Sequence, residues 1–188
     1  MIKIIDNCCV PAYLDCLKEV AVNSANWNMY FPGGASIDEK HLKLNIIRDG
    51  IKHPILAGLA IGLLIQIHQA GGQDLFIPEI NQCSISIKDK HTPEDIMHKE
   101  YEGDRKFVKI LGIINDVWKE EWGGGIFCNE KSNYIQPTSF CIFDPSESHS
   151  AEEIFTDKKR FAIDFTVIRD RQALERRMKK FGNKYGNK

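Results

Sequence analysis

The stretch Arg160-Phe161-Ala162-Ile163-Asp164-Phe165-Thr166-Val167-Ile168 decides the fold. Phe161, Ile163, Phe165 and Val167 share one apolar face, whereas Arg160, Ala162, Asp164 and Thr166 share a second face that is small and polar. A period of two marks a strand with one face on a core. The opposite face has the character expected of a cavity lining that holds a charged ligand. Towards the N-terminus come further short runs rich in branched and aromatic residues: CSISIK (83–88), FVKILGII (107–114), GGIFC (124–128) and TSFCIF (138–143). Strands of this length, parted by turns and not by helical crossovers, predict an antiparallel double-sheet or barrel arrangement.

Before Gly71-Gly72 the texture is different. PAYLDCLKEVAV (11–22) and DEKHLKLNIIRDG (38–50) show apolar residues three to four apart with acids near the start, which predicts helices. PILAGLAIGLLIQIHQA (54–70) is the most apolar segment, but its unbroken part is too short for a bilayer and contains two glycines, so it reads as a buried core helix. The expectation is one α+β domain over residues 1–188. It has a helical part at about 1–72 whose helices cover one face of a sheet core at about 73–169, then a basic helix and tail at 170–188.

With 188 residues, 43% of them hydrophobic and 27% charged, the chain can enclose one well-buried core. Lys+Arg 25 against Asp+Glu 26 leaves no basic footprint for a nucleic-acid backbone. The opening MIKIIDNCCV lacks the apolar run of a secretory signal, so a cytoplasmic location is expected. The six cysteines show no C-x-x-C pair and read as reduced, mostly buried thiols.

Three features could carry chemistry. In extended backbone, residues two apart face the same way, so His98 and Glu100 can converge on one ion; alone, such a triplet reads as solvated surface. His149 follows TSFCIF through the turn DPSES (144–148), which places it at the mouth of a sheet sandwich, where it can supply a third ligand. Two imidazoles and one carboxylate form the facial set of non-haem Fe(II) oxygenases, with positions left for a co-substrate and O2. Arg160, on the polar face of its strand, suits a carboxylate held through two parallel hydrogen bonds; in isolation it is a strand-end Arg beside Lys158 and Lys159. His91 and Asp95 are rival ligands, but their four-residue spacing suits a helix and Pro93 argues against one. His41, His53 and His68 read as structural or exposed, and Trp118 and Trp122 as packing at a turn.

The ordered set of parts resembles a known family. MHKE (97–100) holds His98 and Glu100, IINDVW (113–118) holds Asn115 and Trp118, and EEWGGG (120–125) holds Trp122, Gly123 and Gly124. IQPTSFCIFD (135–144) follows with Pro137, Phe143 and Asp144, then His149 and Arg160. This is similar to the prolyl 4-hydroxylase-like branch of the 2-oxoglutarate/Fe(II)-dependent dioxygenases. That branch runs from a His-x-Asp pair through an Asn-x-x-Trp segment and a Trp-Gly-Gly turn. A Pro-containing strand ending in Phe-Asp, a distal His and an Arg or Lys then follow. IIDNCCVPAYLDCLKEV (4–20) resembles its first strand and helix.

The resemblance implies a double-stranded β-helix, or jelly roll, with flanking helices. It implies Fe(II) on His98, Glu100 and His149, 2-oxoglutarate with its distal carboxylate on Arg160 and Asn115 as a further co-substrate contact, and ascorbate as an optional addition. The implied reaction is hydroxylation of a peptidyl side chain, a free amino acid or a small metabolite; a carboxylate kept at position 100 speaks against halogenation. Three positions depart from the pattern: Glu100 stands for Asp, Gly125 for an acid, and Ala162 for a Ser or Thr. Two rival readings remain: a cupin-like metalloenzyme without 2-oxoglutarate, and a binding module with a weakened metal site. Segments 26–37, with its aromatic NWNMYFPGG, and 88–97 are the expected substrate loops. Monomer and homodimer are both compatible with the sequence.

Overall fold

The computed structural model describes residues 2–24, 27–30, 41–92, 95–100, 106–128, 130–176 and 178. Proline opens both principal helices, where its missing N–H costs nothing: α1 is Pro11–Val22 and α2 is Pro54–Ile67. α1 buries Leu14, Leu17 and Ala21 at helical spacing, and α2 buries Leu56, Ala57, Ala60, Leu63, Leu64 and Ile67. The Tyr13 hydroxyl donates to the Leu59 carbonyl at 2.7 Å and ties the two together.

The strands are β1 (Ile2–Ile5), β2 (Asn28–Tyr30), β3 (His41–Ile47), β4 (Ile77–Lys88), β5 (Phe107–Ile113), β6 (Ile126–Cys128), β7 (Lys131–Asn133), β8 (Phe140–Phe143), β9 (His149–Ala151) and β10 (Arg160–Ile168). They form a seven-stranded sheet of order β1-β8-β5-β10-β4-β3-β2 and a three-stranded sheet of order β7-β6-β9, antiparallel at every pairing. This is the double-stranded β-helix core, with the N-terminal helices packed on one face of the larger sheet. β10 lies between β4 and β5, so its alternation organises both sides. Its Ile163, Phe165 and Val167 join Leu44, Ile46, Ile85, Ile110 and the helices in one core, while Cys141, Phe143, Ile126 and Trp118 belong to a second cluster.

One expected helix is a strand. In 38–50, the part from His41 to Ile47 is β3, paired with β4, and 38–40 lie outside the described residues. The i, i+4 pair Leu42 and Ile46 suits a helix, but the deciding pattern is the alternation of buried Leu44 and Ile46 with polar Lys43 and Asn45. A tightly curved helix would have put Lys43 against the core. The part expected to be helical therefore also carries β1, β2 and β3. Of the expected loop 26–37, only 27–30 are described: Trp27 donates its indole N–H to the Ala21 carbonyl at 3.0 Å, as a packed residue does. Residues 171–176 are helical, as expected, and the rest of the tail lies outside the described residues except Met178.

Candidate metal centre and its pocket

Two backbone hydrogen bonds join the segments that carry the imidazoles: His98 N–H to the His149 carbonyl at 3.0 Å, and His149 N–H to the His98 carbonyl at 2.9 Å. This isolated antiparallel bridge presents both rings together, their centroids 4.5 Å apart. Nδ1 of His98 lies 2.9 Å from the Ile96 carbonyl, and Nδ1 of His149 lies 2.8 Å from the Glu147 carbonyl. A carbonyl only accepts, so each Nδ1 carries the proton and each Nε2 keeps its lone pair free for a metal. Phe143 packs edge-on against His149 at 4.9 Å and fixes its ring plane. His149 is buried and lines the cavity.

Glu100 is held by its own N–H, which donates to the Pro145 carbonyl at 2.7 Å. Its Oε1 lies 3.7 Å from His98 Nε2. Ligand atoms of His98, Glu100 and His149 all lie within 4.8 Å of one another. The longer side chain of Glu100 therefore still reaches the imidazoles. Burial works to raise its pKa, but His98 and Lys109 outweigh burial and hold it at about 2. Glu100 in turn raises the His98 pKa, whereas burial lowers that of His149. A carboxylate and two imidazoles, one of them favoured neutral, are the donor chemistry that a borderline divalent cation such as Fe(II) accepts.

Behind the carboxylate lies a residue the sequence reading passed over. Lys109 on β5 is buried, with Nζ 3.3 Å from Glu100 Oε2 and 2.6 Å from Asp164 Oδ2 on β10. Burial opposes its charge, but Asp164 and Glu100 prevail and its pKa is raised. The available signal was a single charge inside the otherwise apolar run FVKILGII. A buried lysine there needs an anionic partner.

Arg160 lines the same cavity. Its guanidinium is buried, which pushes its pKa down to about 10, and Nη1 donates to the Gly124 carbonyl. Its Nε is the only buried side-chain nitrogen or oxygen among the described residues without a hydrogen-bond partner. A desolvated cation with a spare donor fits a carboxylate guest. The Trp-Gly-Gly turn makes the seat: Gly124 has φ of 72°, and a Cβ there would come within 3.1 Å of the Arg160 Cδ. The departure at Gly125 has a steric cause, since a Cβ would meet Glu152 Oε2 at 2.6 Å and the Asn133 carbonyl oxygen at 2.8 Å. The hydroxyl missing at Ala162 is offered by Ser86, its register partner on β4, which lines the cavity.

Asn115 must be corrected. It does not line the cavity; its amide donates to the Lys159 carbonyl at 2.9 Å and accepts from the Phe161 N–H at 2.8 Å. It clamps the chain on either side of Arg160, so its position in the motif bears on where Arg160 sits. Of the rival ligands, His91 lies in an Asp89–Thr92 turn away from the cavity, and Asp95 lines it but is paired with Lys88. Trp118 and Trp122 pack edge-to-face at 5.5 Å, as expected of turn residues. All six cysteines are free thiols, four of them buried. The cavity enclosed by these elements has a volume of about 510 Å³ and opens onto all three metal-ligand candidates and Arg160.

No family model and no curated protein matches the sequence. Solved structures match the fold. A non-haem α-ketoglutarate-dependent carbocyclase from nogalamycin biosynthesis superposes with a TM-score of 0.67 at 12% identity, over 89% of this chain and 79% of that one. A prolyl hydroxylase from Trichoplax adhaerens, in complex with a hypoxia-inducible-factor peptide fragment, gives 0.61 at 17% identity over 92% and 84%. HygX from Streptomyces hygroscopicus, with nickel, 2-oxoglutarate and hygromycin B bound, gives 0.62 at 9% identity over 90% and 83%. At these identities the likeness is one of fold: the chain has the double-stranded β-helix found in 2-oxoglutarate/Fe(II) oxygenases.

Proposed function

We propose that this protein is a non-haem Fe(II)- and 2-oxoglutarate-dependent dioxygenase that hydroxylates a substrate held in the cavity above His98, Glu100 and His149. One observation carries the reading. Two imidazoles whose Nδ1 atoms face backbone carbonyls converge with a carboxylate on one cavity, and a buried arginine with a spare donor lines the same cavity. A cupin-like metalloenzyme has no use for the second feature. The fold neighbours that bind nickel and 2-oxoglutarate support the same assignment.

His98, Glu100 and His149 would hold the metal, and Arg160 would take the distal carboxylate of 2-oxoglutarate. When bound, the metal and its co-substrate supply the oxidation of a substrate C–H bond by O2, with 2-oxoglutarate leaving as succinate and CO2. The chain's own part is positioning. The Ile96 and Glu147 carbonyls fix the tautomers, so the imidazoles need no reorganisation to ligate. Gly124 orients the guanidinium, and Lys109 neutralises and aims the Glu100 carboxylate. Leu111, Ile126 and Phe143 line the cavity as its apolar part and keep water from part of its wall.

The test is succinate release from 2-oxoglutarate by Fe(II)-reconstituted protein, compared with His149→Ala and Arg160→Ala. Turnover in the wild type and a loss of about 100-fold or more in each folded variant is expected. Equal turnover in all three, or an absence of Fe(II) uptake by the wild type, overturns the reading.

A further inference from the structure

α2 is apolar on every side. Pro54–Ile67 holds no charged side chain, and its only polar one is Gln66. One side enters the core through Leu56, Ala57, Ala60, Leu63, Leu64 and Ile67. A helix that is hydrophobic all round is normally covered all round. Here the other side faces solvent: Ile55 is 73% exposed, Ile61 42% and Ile65 43%, and Ile51, just before the helix, is 60% exposed. Gly58 is exposed among them, and positions 55, 58, 61 and 65 fall on one stripe of the helix.

Two glycines stand inside α2, each at a cost in helix stability relative to alanine. Gly62 has a task within this chain, because a Cβ there would collide with the Tyr13 hydroxyl that ties α1 to α2. Gly58 has none, since a Cβ there meets nothing within 4 Å. It leaves a notch in the middle of the stripe where another backbone can come close. The stripe is also symmetric about that notch. Isoleucine stands three and seven residues before Gly58, at Ile55 and Ile51, and three and seven residues after it, at Ile61 and Ile65. A two-fold axis through Gly58 maps this pattern onto itself, which is the self-complementarity that an isologous interface needs.

We propose that this face of α2 pairs antiparallel with the same face of a second copy of the chain. Gly58 would cross Gly58, Ile55 would meet Ile61 of the second copy, and Ile51 its Ile65. With no charge along α2 the copies meet no like-charge repulsion, and their helix dipoles run head to tail. The four isoleucines expose roughly 400 Å² of apolar surface, the size at which a patch on a monomer marks an interaction surface. With a polar rim of Lys52, Gln66 and Gln69 it approaches the ~800 Å² per partner of a stable dimer. A lipid surface is the poorer match, because interfacial helices carry Lys and Arg on their polar face and α2 has neither. The helices cover the face of the larger sheet turned away from the cavity, so both cavities stay open in the pair.

Sedimentation velocity between about 1 and 200 µM reads the association. A reversible dimer is expected. Ile55→Glu and Ile61→Glu should each weaken it by about tenfold or more while keeping the wild-type circular dichroism, since both side chains face solvent in a single copy. Gly58→Leu separates helix formation from pairing. It should raise the melting temperature at low concentration, as a better helix former, yet weaken association because the notch is filled. A monomer over the whole range, or a dimer that Ile61→Glu and Gly58→Leu leave unchanged, overturns the pairing. A monomer that binds vesicles of phosphatidylcholine and phosphatidylglycerol, and loses that binding in Ile61→Glu, overturns it in favour of a lipid surface.

Discussion

The two sides of the larger sheet are made by the same strands and obey opposite rules. Towards α1 and α2, β10 presents Ile163, Phe165 and Val167, each 0% exposed, and close packing is the whole of their task. Towards the cavity it presents Arg160 and Thr166, both buried, and the partly exposed Asp164. The first side gains free energy from burial, and the second forgoes it to keep charges aimed at one volume. A strand with one side of each kind divides core packing from cavity lining residue by residue.

The strongest way to break that division is Phe165→Ala. Phe165 is fully buried between two paired strands, so its truncation should cost about 3–5 kcal/mol, read from urea unfolding. If the two sides are independent, the fraction that remains folded keeps the wild-type rate of succinate release per molecule. A fall in rate beyond the loss of folded protein would show that the core side tunes the cavity side.

The apolar side was also the legible one. Alternation alone identified β10, and the cavity face with Arg160 came with it. The short runs around it gave β4, β5, β6 and β8, because branched residues at period two have few other uses. β3 escaped because Leu42 and Ile46 satisfy helical spacing as well, and only pairing with β4 decides between the two. The proposed metal group was reached from the sequence by a different route. His98 and Glu100 lie outside both sheets on a segment joined to the rest by one isolated bridge and single backbone hydrogen bonds from Asp95 and Glu100, so only the order of parts along the chain marked them out. Asn115 was found by the same order but misassigned, since position in a motif does not distinguish a group that touches a ligand from one that clamps its neighbour. Lys109 was hidden because a strand pattern records its apolar neighbours and says nothing of which carboxylates, Glu100 from a distant segment and Asp164 from β10, will meet its charge.

A smaller effect sharpens the comparison on the cavity side. In Lys109→Met the ammonium that both Glu100 and Asp164 contact is gone, and metal-free protein should lose about 1–3 kcal/mol by thermal or urea unfolding. Unlike the loss at Phe165, this one is repairable: a divalent cation on Glu100 replaces part of the missing charge. Mn(II) should therefore raise the melting temperature more in the variant than in the wild type. A smaller rise than in the wild type would mean that Lys109 serves chiefly to aim the carboxylate.

The smallest expected effect concerns the residue at which this chain departs from its resemblance. Glu100→Asp would restore the family's usual carboxylate, and a reading by motif alone expects improvement. The structure expects the reverse. The backbone at 100 is pinned through its N–H to the Pro145 carbonyl, and from that fixed point the longer side chain reaches within 3.7 Å of His98 Nε2 and 3.3 Å of Lys109 Nζ. Removing one methylene draws the carboxylate back from both, while the pinned backbone cannot follow without losing its own hydrogen bond. Fe(II) affinity, measured by anaerobic titration, should fall by about tenfold with unfolding free energy little changed, since Glu100 is partly exposed. Tighter binding in Glu100→Asp would show that the 98–100 segment is free to advance, and that the two-bond bridge to His149 holds only the first of the paired ligands.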